Sequence, residues 1–508
     1  MKTSLLFLIL FTPFINLAQK QGNIWYFGTQ SGLDFSGGAP VAITGGQTGT
    51  DIPSWDSQEG TASIADSSGT LLFYTGGKTA WNKIHTPMPN GSGLMGGTSS
   101  TQSSIIIPQP GNDSLFYLFT SDEFQNYNNP PETEKGYRYS VINMCLDSGN
   151  GDVLADKKNM LLLDSATEKL AACQDLSGAG YWVMGHKIFS NEFMAWHLTA
   201  SGISSTVISH SGSYHGMEYA GTYWEVAAAQ GQMKFNPAGT KLALVLGNND
   251  PAVLDIFDFN AGTGIVSNCC HMAVDSVLGA RAYGLEFSPD NSKLYITVSG
   301  GSVGIRIYQY DLTAGGGSCS SIAASRTILY QSHLTSVMFG MQLAPDNKIY
   351  VVCNSYHSLG CINSPNLPGT AANFNPSAIS LSGVINNYTL PSFIAGYKYH
   401  NGLTCCHCDP VNNPPAIIDV VLPNIFTPNN DGINDIVDFS GLNLNESVVT
   451  IFNRWGEKVF ETTDVIKSWN GKNLKGINCN DDVYYYILQS KGAANAKYNR
   501  KGFIQLLR

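Results

Sequence analysis

Three times between Met233 and Tyr350 the chain repeats one pattern of apolar and polar positions. The copies are Met233-Lys-Phe-Asn-Pro-Ala-Gly-Thr-Lys-Leu-Ala, Leu285-Glu-Phe-Ser-Pro-Asp-Asn-Ser-Lys-Leu-Tyr and Met341-Gln-Leu-Ala-Pro-Asp-Asn-Lys-Ile-Tyr. Their prolines, Pro237, Pro289 and Pro345, stand 52 and 56 residues apart. Each copy reads as an apolar strand, a Pro-led turn and a second apolar strand. Two more strands follow in each unit, as in Leu254-Asp-Ile-Phe-Asp-Phe and Ile305-Arg-Ile-Tyr-Gln-Tyr, where large apolar and polar residues alternate. A repeat of this length carrying four strands predicts one blade of a ring. Weaker copies begin at Ala62, Ile105 and Leu170, which makes six. A seventh would close the ring from both chain ends, with Ile24-Trp-Tyr-Phe-Gly and Gly32-Leu-Asp-Phe pairing against a strand near Ser392 to Tyr397. Closure hides the strand edges that an open stack leaves exposed. Seven blades are favoured, with six as the alternative.

The pattern changes at both ends of the chain. Residues 1–18 place Lys2 ahead of an apolar run from Leu5 to Ile15, and Leu17-Ala18 precedes Gln19, as in a cleaved export signal. That run is too short for a stable membrane anchor, and no later stretch reaches the length of a membrane helix. The mature chain is therefore expected to be soluble after export. Residues 404–421, with Asn412-Asn413-Pro414-Pro415, read as a linker between a propeller at 19–403 and a last domain at 422–508. In that last domain Val448–Phe452 and Lys458–Glu461 flank the turn Asn453-Arg454-Trp455-Gly456, and Val483–Leu488 and Phe503–Leu507 supply two more strands. Short strands without helical period predict a small Ig-like antiparallel β-sandwich. The whole chain is thus expected to be all-β, and Trp455 in its tight turn is expected to fold back onto the sandwich.

Composition narrows the function. Charged residues are 13% of 508, glycines number 53, and Tyr and Phe number 24 and 23, which favours a β-rich exported protein. A formal net charge of −10 with no basic block excludes a nucleic-acid partner.

The last domain also carries motifs that spacing alone does not explain. These are Pro423, Phe426, Pro428, Asn430, Asp431, Gly432, Asn434 and Asp435 in its opening, Asn453, Arg454, Trp455 and Gly456 in its hairpin, then Trp469, the Tyr484–Tyr486 strand and Gly502. In this order they resemble the type B C-terminal sorting domain of the Bacteroidetes type IX secretion system, also called the gliding-motility-associated C-terminal domain. Asn478-Cys479-Asn480-Asp481-Asp482 stands where that family often has a Pro-Gly type turn. The resemblance implies a folded address, read by an outer-membrane translocon and its cargo receptors, that performs no chemistry. The region ahead of it resembles the WD40-like propellers that often precede such domains, through Trp25-Tyr26-Phe27-Gly28, Leu71-Leu72-Phe73-Tyr74 and Ser100-Thr101-Gln102-Ser103.

Candidate chemistry is sparse. Eleven cysteines in an exported chain point to disulfides, and Cys353 with Cys361 is the expected bridge. Cys269-Cys270 reads as bridge or buried thiol. Cys405-Cys406-His407-Cys408 packs four ligand types into consecutive positions, which cannot converge tetrahedrally on zinc, so it is read as structural. The ten histidines match no hydrolase motif, and His85 and His186, beside aromatics, read as structural residues. Asp56, Glu59, Glu218 and Glu225 lie in aromatic-rich loop stretches that could line a pocket. The Asn429–Asp435 loop partly follows calcium-ligand alternation, yet its first position falls on Thr427 and no glutamate stands at the twelfth. No catalytic residue, metal or cofactor is assigned. The expectation is an exported cell-surface or secreted protein whose propeller contacts a protein or glycan, with a propeller hydrolase or lyase acting on extracellular polysaccharide as the competing class.

Overall fold

The computed structural model describes residues 19–51, 59–123, 136–216, 227–247, 252–275, 280–300, 304–332, 338–353, 357–381, 389–399, 425–429, 431, 434–437, 447–463, 468–491 and 497–508. Two compact units divide the chain, Met1–His407 and Cys408–Arg508.

Among the described residues the first unit holds seven consecutive antiparallel sheets. Blade 1 has three strands, Ile24–Phe27, Ser31–Asp34 and Val41–Thr44. Blade 2 spans Ala62–Ser92, blade 3 Ser104–Leu163, blade 4 Ala166–His210, blade 5 Met233–Asp275, blade 6 Arg281–Ser332 and blade 7 Met338–Ser380. The first strand of each of blades 1 to 6 lies beside the first strand of the next, so these strands surround a central channel and the unit is a β-propeller.

The repeat pattern has a direct structural reason. Met233 and Phe235, Leu285 and Phe287, and Met341 and Leu343 are buried between blades. In the turns that follow, Gly239, Asn291 and Asn347 take φ of 73°, 65° and 62°. Only glycine, and to a lesser degree asparagine, enters this left-handed region cheaply, which is why these residue types recur at one turn position.

The chain ends meet, though not through the strand pairing expected near Ser392. Residues 389–394 form no strand and lead into a 3₁₀ turn at Ala395–Tyr397. The Gln19 side chain bridges the ends: its Nε2 donates to the Tyr399 carbonyl at 2.7 Å and its Oε1 accepts from Tyr399 N at 2.7 Å. Ser392 N donates to Thr61 O at 2.8 Å. The Trp25 ring lies 5.6 Å from Phe393 and 6.1 Å from Tyr350.

In the second unit the described strands form one five-stranded sheet, in the order Ile425–Phe426, Lys497–Leu506, Asp482–Lys491, Ser447–Phe452, Lys458–Thr462. All pairs are antiparallel except Ile425–Phe426, which runs parallel to its neighbour. One side of the sheet buries Val449, Ile451, Tyr484, Tyr486, Leu488, Ile504 and Leu506 around Trp469 and Phe426.

Candidate functional site

The inner strands of a propeller present unpaired backbone groups to its channel, and buried polar groups need partners. Long side chains supply them. Gln102 donates through Nε2 to Met233 O at 3.0 Å and accepts from Met233 N through Oε1 at 2.8 Å. Gln232 Oε1 accepts from Leu285 N and Met341 N, at 3.0 and 2.9 Å. The Glu286 carboxylate accepts from Phe287 N and Leu343 N, at 3.0 and 2.9 Å. Lys234, Glu286 and Gln342 occupy the same repeat position in three successive blades. Lys234 Nζ lies 3.3 Å from Glu286 Oε2 and donates to Gln342 Oε1.

One mouth is plugged. Tyr397 donates its hydroxyl to Leu343 O at 2.5 Å, and residues 392–397 cover Lys234, Glu286 and Gln342. The cavity left there measures about 20 Å³, room for little more than one water molecule.

At the opposite end, where the inner strands begin, polar groups converge from separate blades. Tyr283 OH donates to Glu59 Oε2, and Ser99 Oγ donates to Glu59 Oε1 at 3.2 Å. Glu168 Oε2 accepts from Thr101 N at 2.9 Å and Thr101 Oγ1 at 2.7 Å. Burial and the two carboxylates hold the Tyr283 phenol well above its ordinary pKa, so it acts as a donor. Glu59 and Glu168 are buried, while Ser99 and Tyr283 are partly exposed. Beside them Lys169 is enclosed, and burial pushes its ammonium down to about 7. Its geometry nevertheless suits a charged donor, with the carbonyls of Ala229 and Gln230 at 2.9 and 2.6 Å and that of Ala228 at 3.5 Å. Of the carboxylates expected to line a pocket, only Glu59 falls within the described residues.

His85 and His186 both lie against aromatic or histidine rings. His85 receives or donates one hydrogen bond with Tyr74 OH at 2.9 Å and meets Tyr26 edge-on. His186 is fully buried and stacks on His215 at 3.5 Å.

The cysteine pairing differs from expectation. Cys270, in the outer strand of blade 5, is bridged to Cys319 in the short helix Cys319–Ala324, while Cys269, Cys353 and Cys361 are free thiols. The reason is strand parity. Cys361 stands opposite Tyr350, and Cys353 lies three residues beyond Tyr350. Side chains alternate along a strand, so the two cysteines point to opposite faces of blade 7. Cys405, Cys406 and Cys408 lie outside the described residues.

In the second unit the motif residues separate by role. Phe426 and Trp469 are buried with ring centroids 5.1 Å apart, and Trp469 Nε1 donates to Lys472 O at 2.9 Å. Pro428 packs beside Gly471, and a Cβ on Gly502 would come within 2.6 Å of the Tyr486 ring. Thr427 N donates to Asn434 O at 2.9 Å across the opening loop, where Asp431 N donates to Asn429 Oδ1. Asp435 follows in this loop, whereas Pro423, Asn430 and Gly432 lie outside the described residues. No group of three or more potential metal ligands occurs among the described residues.

Trp455 does not fold back onto the sheet: 75% of it is exposed. Asn453 Oδ1 accepts from Trp455 N and Glu457 N, Gly456 takes φ of 81°, and this turn points residue 455 outward. The aromatic cover of the core is Trp469.

Residues 420–506 match the CHU_C type IX secretion signal domain. The C-terminal unit therefore carries a secretion signal, which implies export to the cell surface or beyond by the type IX system. Among solved structures, a protein from Lactobacillus plantarum is 12% identical with a TM-score of 0.43, covering 73% of this chain and 98% of its own. A streptogramin B lyase is 8% identical with a TM-score of 0.35, covering 73% and 88%. A putative 6-phosphogluconolactonase from Bacteroides uniformis is 10% identical with a TM-score of 0.34, covering 64% and 97%. No curated protein matches the sequence. No helix among the described residues is long and apolar enough to cross a membrane.

Proposed function

We propose that this chain is a type IX secretion cargo whose propeller is an interaction module, engaging a protein or glycan at the mouth where Glu59, Ser99, Thr101, Glu168 and Tyr283 converge. The domain limits that go with this reading are a targeting segment at 1–18, the propeller at 19–403, a linker at 404–421 and the sorting domain at 422–508. The observation that carries the binding function is the state of the mouth carboxylates. Both already accept hydrogen bonds from neighbouring hydroxyl or amide donors, which supports reading them as the preorganised floor beneath the partly exposed Ser99 and Tyr283. A glycosidase needs one carboxyl to protonate a leaving group and another to serve as base or nucleophile.

The test uses the full mature chain on a glycan array and in pull-down from the cell surface, beside Tyr283→Phe and Ser99→Ala variants. Saturable binding to one ligand class, weakened at least tenfold by both variants, is expected. Release of reducing ends or unsaturated sugars from polysaccharide by the parent, abolished by Glu59→Gln or Glu168→Gln, would replace this reading with the enzymatic one.

A further inference from the structure

A secretion signal acts only by being held by another component, so the part that is read must be exposed. Resting on the export reading above, we propose that the outward side of the C-terminal sheet, centred on Phe452, Tyr485 and Phe503 with Trp455 at its end, is the surface that an outer-membrane component of the type IX machinery grips through an apolar, ring-accepting recess.

The register sets the three rings in a row across three strands, with Phe452 opposite Tyr485 and Tyr485 opposite Phe503. Tyr485 and Phe503 are 51% and 53% exposed. The core on the other side of the sheet closes without them, around Trp469, Phe426, Tyr484 and Tyr486. Val483 and Ile487 share the outward side and are partly buried, while Gln489, Lys501 and Gln505 are exposed around them. An apolar centre within a polar rim is the anatomy of a protein interface.

Trp455 sits in the turn that directly follows Phe452. Arg454 donates through Nε to Asp482 Oδ2 at 2.6 Å, and its guanidinium lies 5.4 Å from the centre of the Trp455 ring. The indole is thus held in place while exposed, which lowers the ordering cost of binding. Trp, Tyr and Arg are the residues that most often dominate binding energy in interfaces. Because Asp482 already neutralises Arg454, the receiving surface need supply no acidic partner, and its matching chemistry is apolar.

The test compares the full chain, in a bacterium with a type IX system, with a Tyr485→Ser/Phe503→Ser variant, a Trp455→Ser variant, a conservative Tyr485→Phe variant and a deletion of 422–508. Both serine variants are expected to secrete at least tenfold less and to accumulate in the periplasm, with thermal unfolding of the purified chains unchanged, while Tyr485→Phe secretes normally. Parental secretion from the double serine variant overturns the proposal, and so does a steep fall in its melting temperature, since the rings would then serve packing. If the deletion itself leaves export intact, the export reading fails. If the deletion abolishes export but the serine variants secrete normally, only the surface assignment fails.

Discussion

Moving from pH 7 to pH 5 is expected to remove about 2 kcal/mol of stability or more from the propeller, through one pair of side chains. His186, in the Tyr181–Lys187 strand of blade 4, and His215 stack with ring centroids 3.5 Å apart and planes 13° from parallel, both fully buried. His186 Nδ1 meets the Lys187 carbonyl at 2.8 Å. His186 Nε2 and both ring nitrogens of His215 have no hydrogen-bond partner among the described residues. Phe193 closes on the His186 ring edge-on at 4.6 Å.

A second proton on either ring would place charge in this enclosure beside its stacked neighbour and the Lys169 ammonium. Burial first, then Lys169, holds His186 down to about 3, and burial, then His186 and Lys169, hold His215 well below its ordinary value. The folded-state pKa values lie below the unfolded value of about 6.5, so the unfolded chain takes up more protons between the two. The stability is therefore fully present above about pH 6.5 and drains as pH falls towards the folded values. Linkage puts the loss from His186 at about 2 kcal/mol between pH 7 and 5, and His215 acts in the same direction. The carboxylates held below their usual range, Asp175, Asp258, Asp290 and Asp311, lose their contribution only nearer pH 4, outside this window.

Urea unfolding of the full chain at pH 7, 6 and 5, followed by tryptophan fluorescence, measures the slope, and a His186→Leu/His215→Leu variant should flatten it. Stability that changes by less than about 1 kcal/mol across the range would refute the reasoning, as would NMR titration of either ring with a midpoint above pH 5. Should the double variant not fold, the NMR titration of the parent decides alone.

Three further perturbations probe the fold. Reduction of Cys270–Cys319, whose residues are 49 apart in sequence, should cost up to about 4 kcal/mol by chain-entropy arithmetic and lower the melting temperature measured with and without reductant, whereas a Cys353→Ser variant should melt unchanged in oxidising buffer. Deleting residues 19–36 removes Trp25, Phe27, Leu33 and Gln19 from the ring closure, and light scattering should report aggregation; a soluble, cooperatively melting product would contradict the closure through these residues. In the second unit Trp469→Ala should cost about 3–5 kcal/mol, and Trp455→Ala well under 1 kcal/mol, by denaturant unfolding, because only the first ring is buried.

What the sequence determined by itself was local. Gly239, Asn291 and Asn347 recur because one turn geometry demands a left-handed residue, and Met233, Leu285 and Met341 recur because one strand face is buried, so a blade is legible within about fifty residues. The sorting motif is legible for the same reason, since Asn453, Gly456 and Gly502 each satisfy a constraint set by near neighbours or by the adjoining strand. Tertiary structure decided whatever depends on partners far along the chain. Glu168, Lys169, Gln232 and His215 carry no local signal, because Lys169 finds its carbonyls at Ala228–Gln230 and Gln232 finds its donors at Leu285 and Met341. Cysteine pairing followed the same logic: proximity in sequence suggested Cys353 with Cys361, but side-chain alternation set them on opposite faces, while packing of the Cys319–Ala324 helix brought Cys319 to Cys270. Whether a tryptophan is buried was likewise beyond local pattern, since the Asn453 turn aims Trp455 at solvent and the sheet's inner side, assembled from all five strands, encloses Trp469.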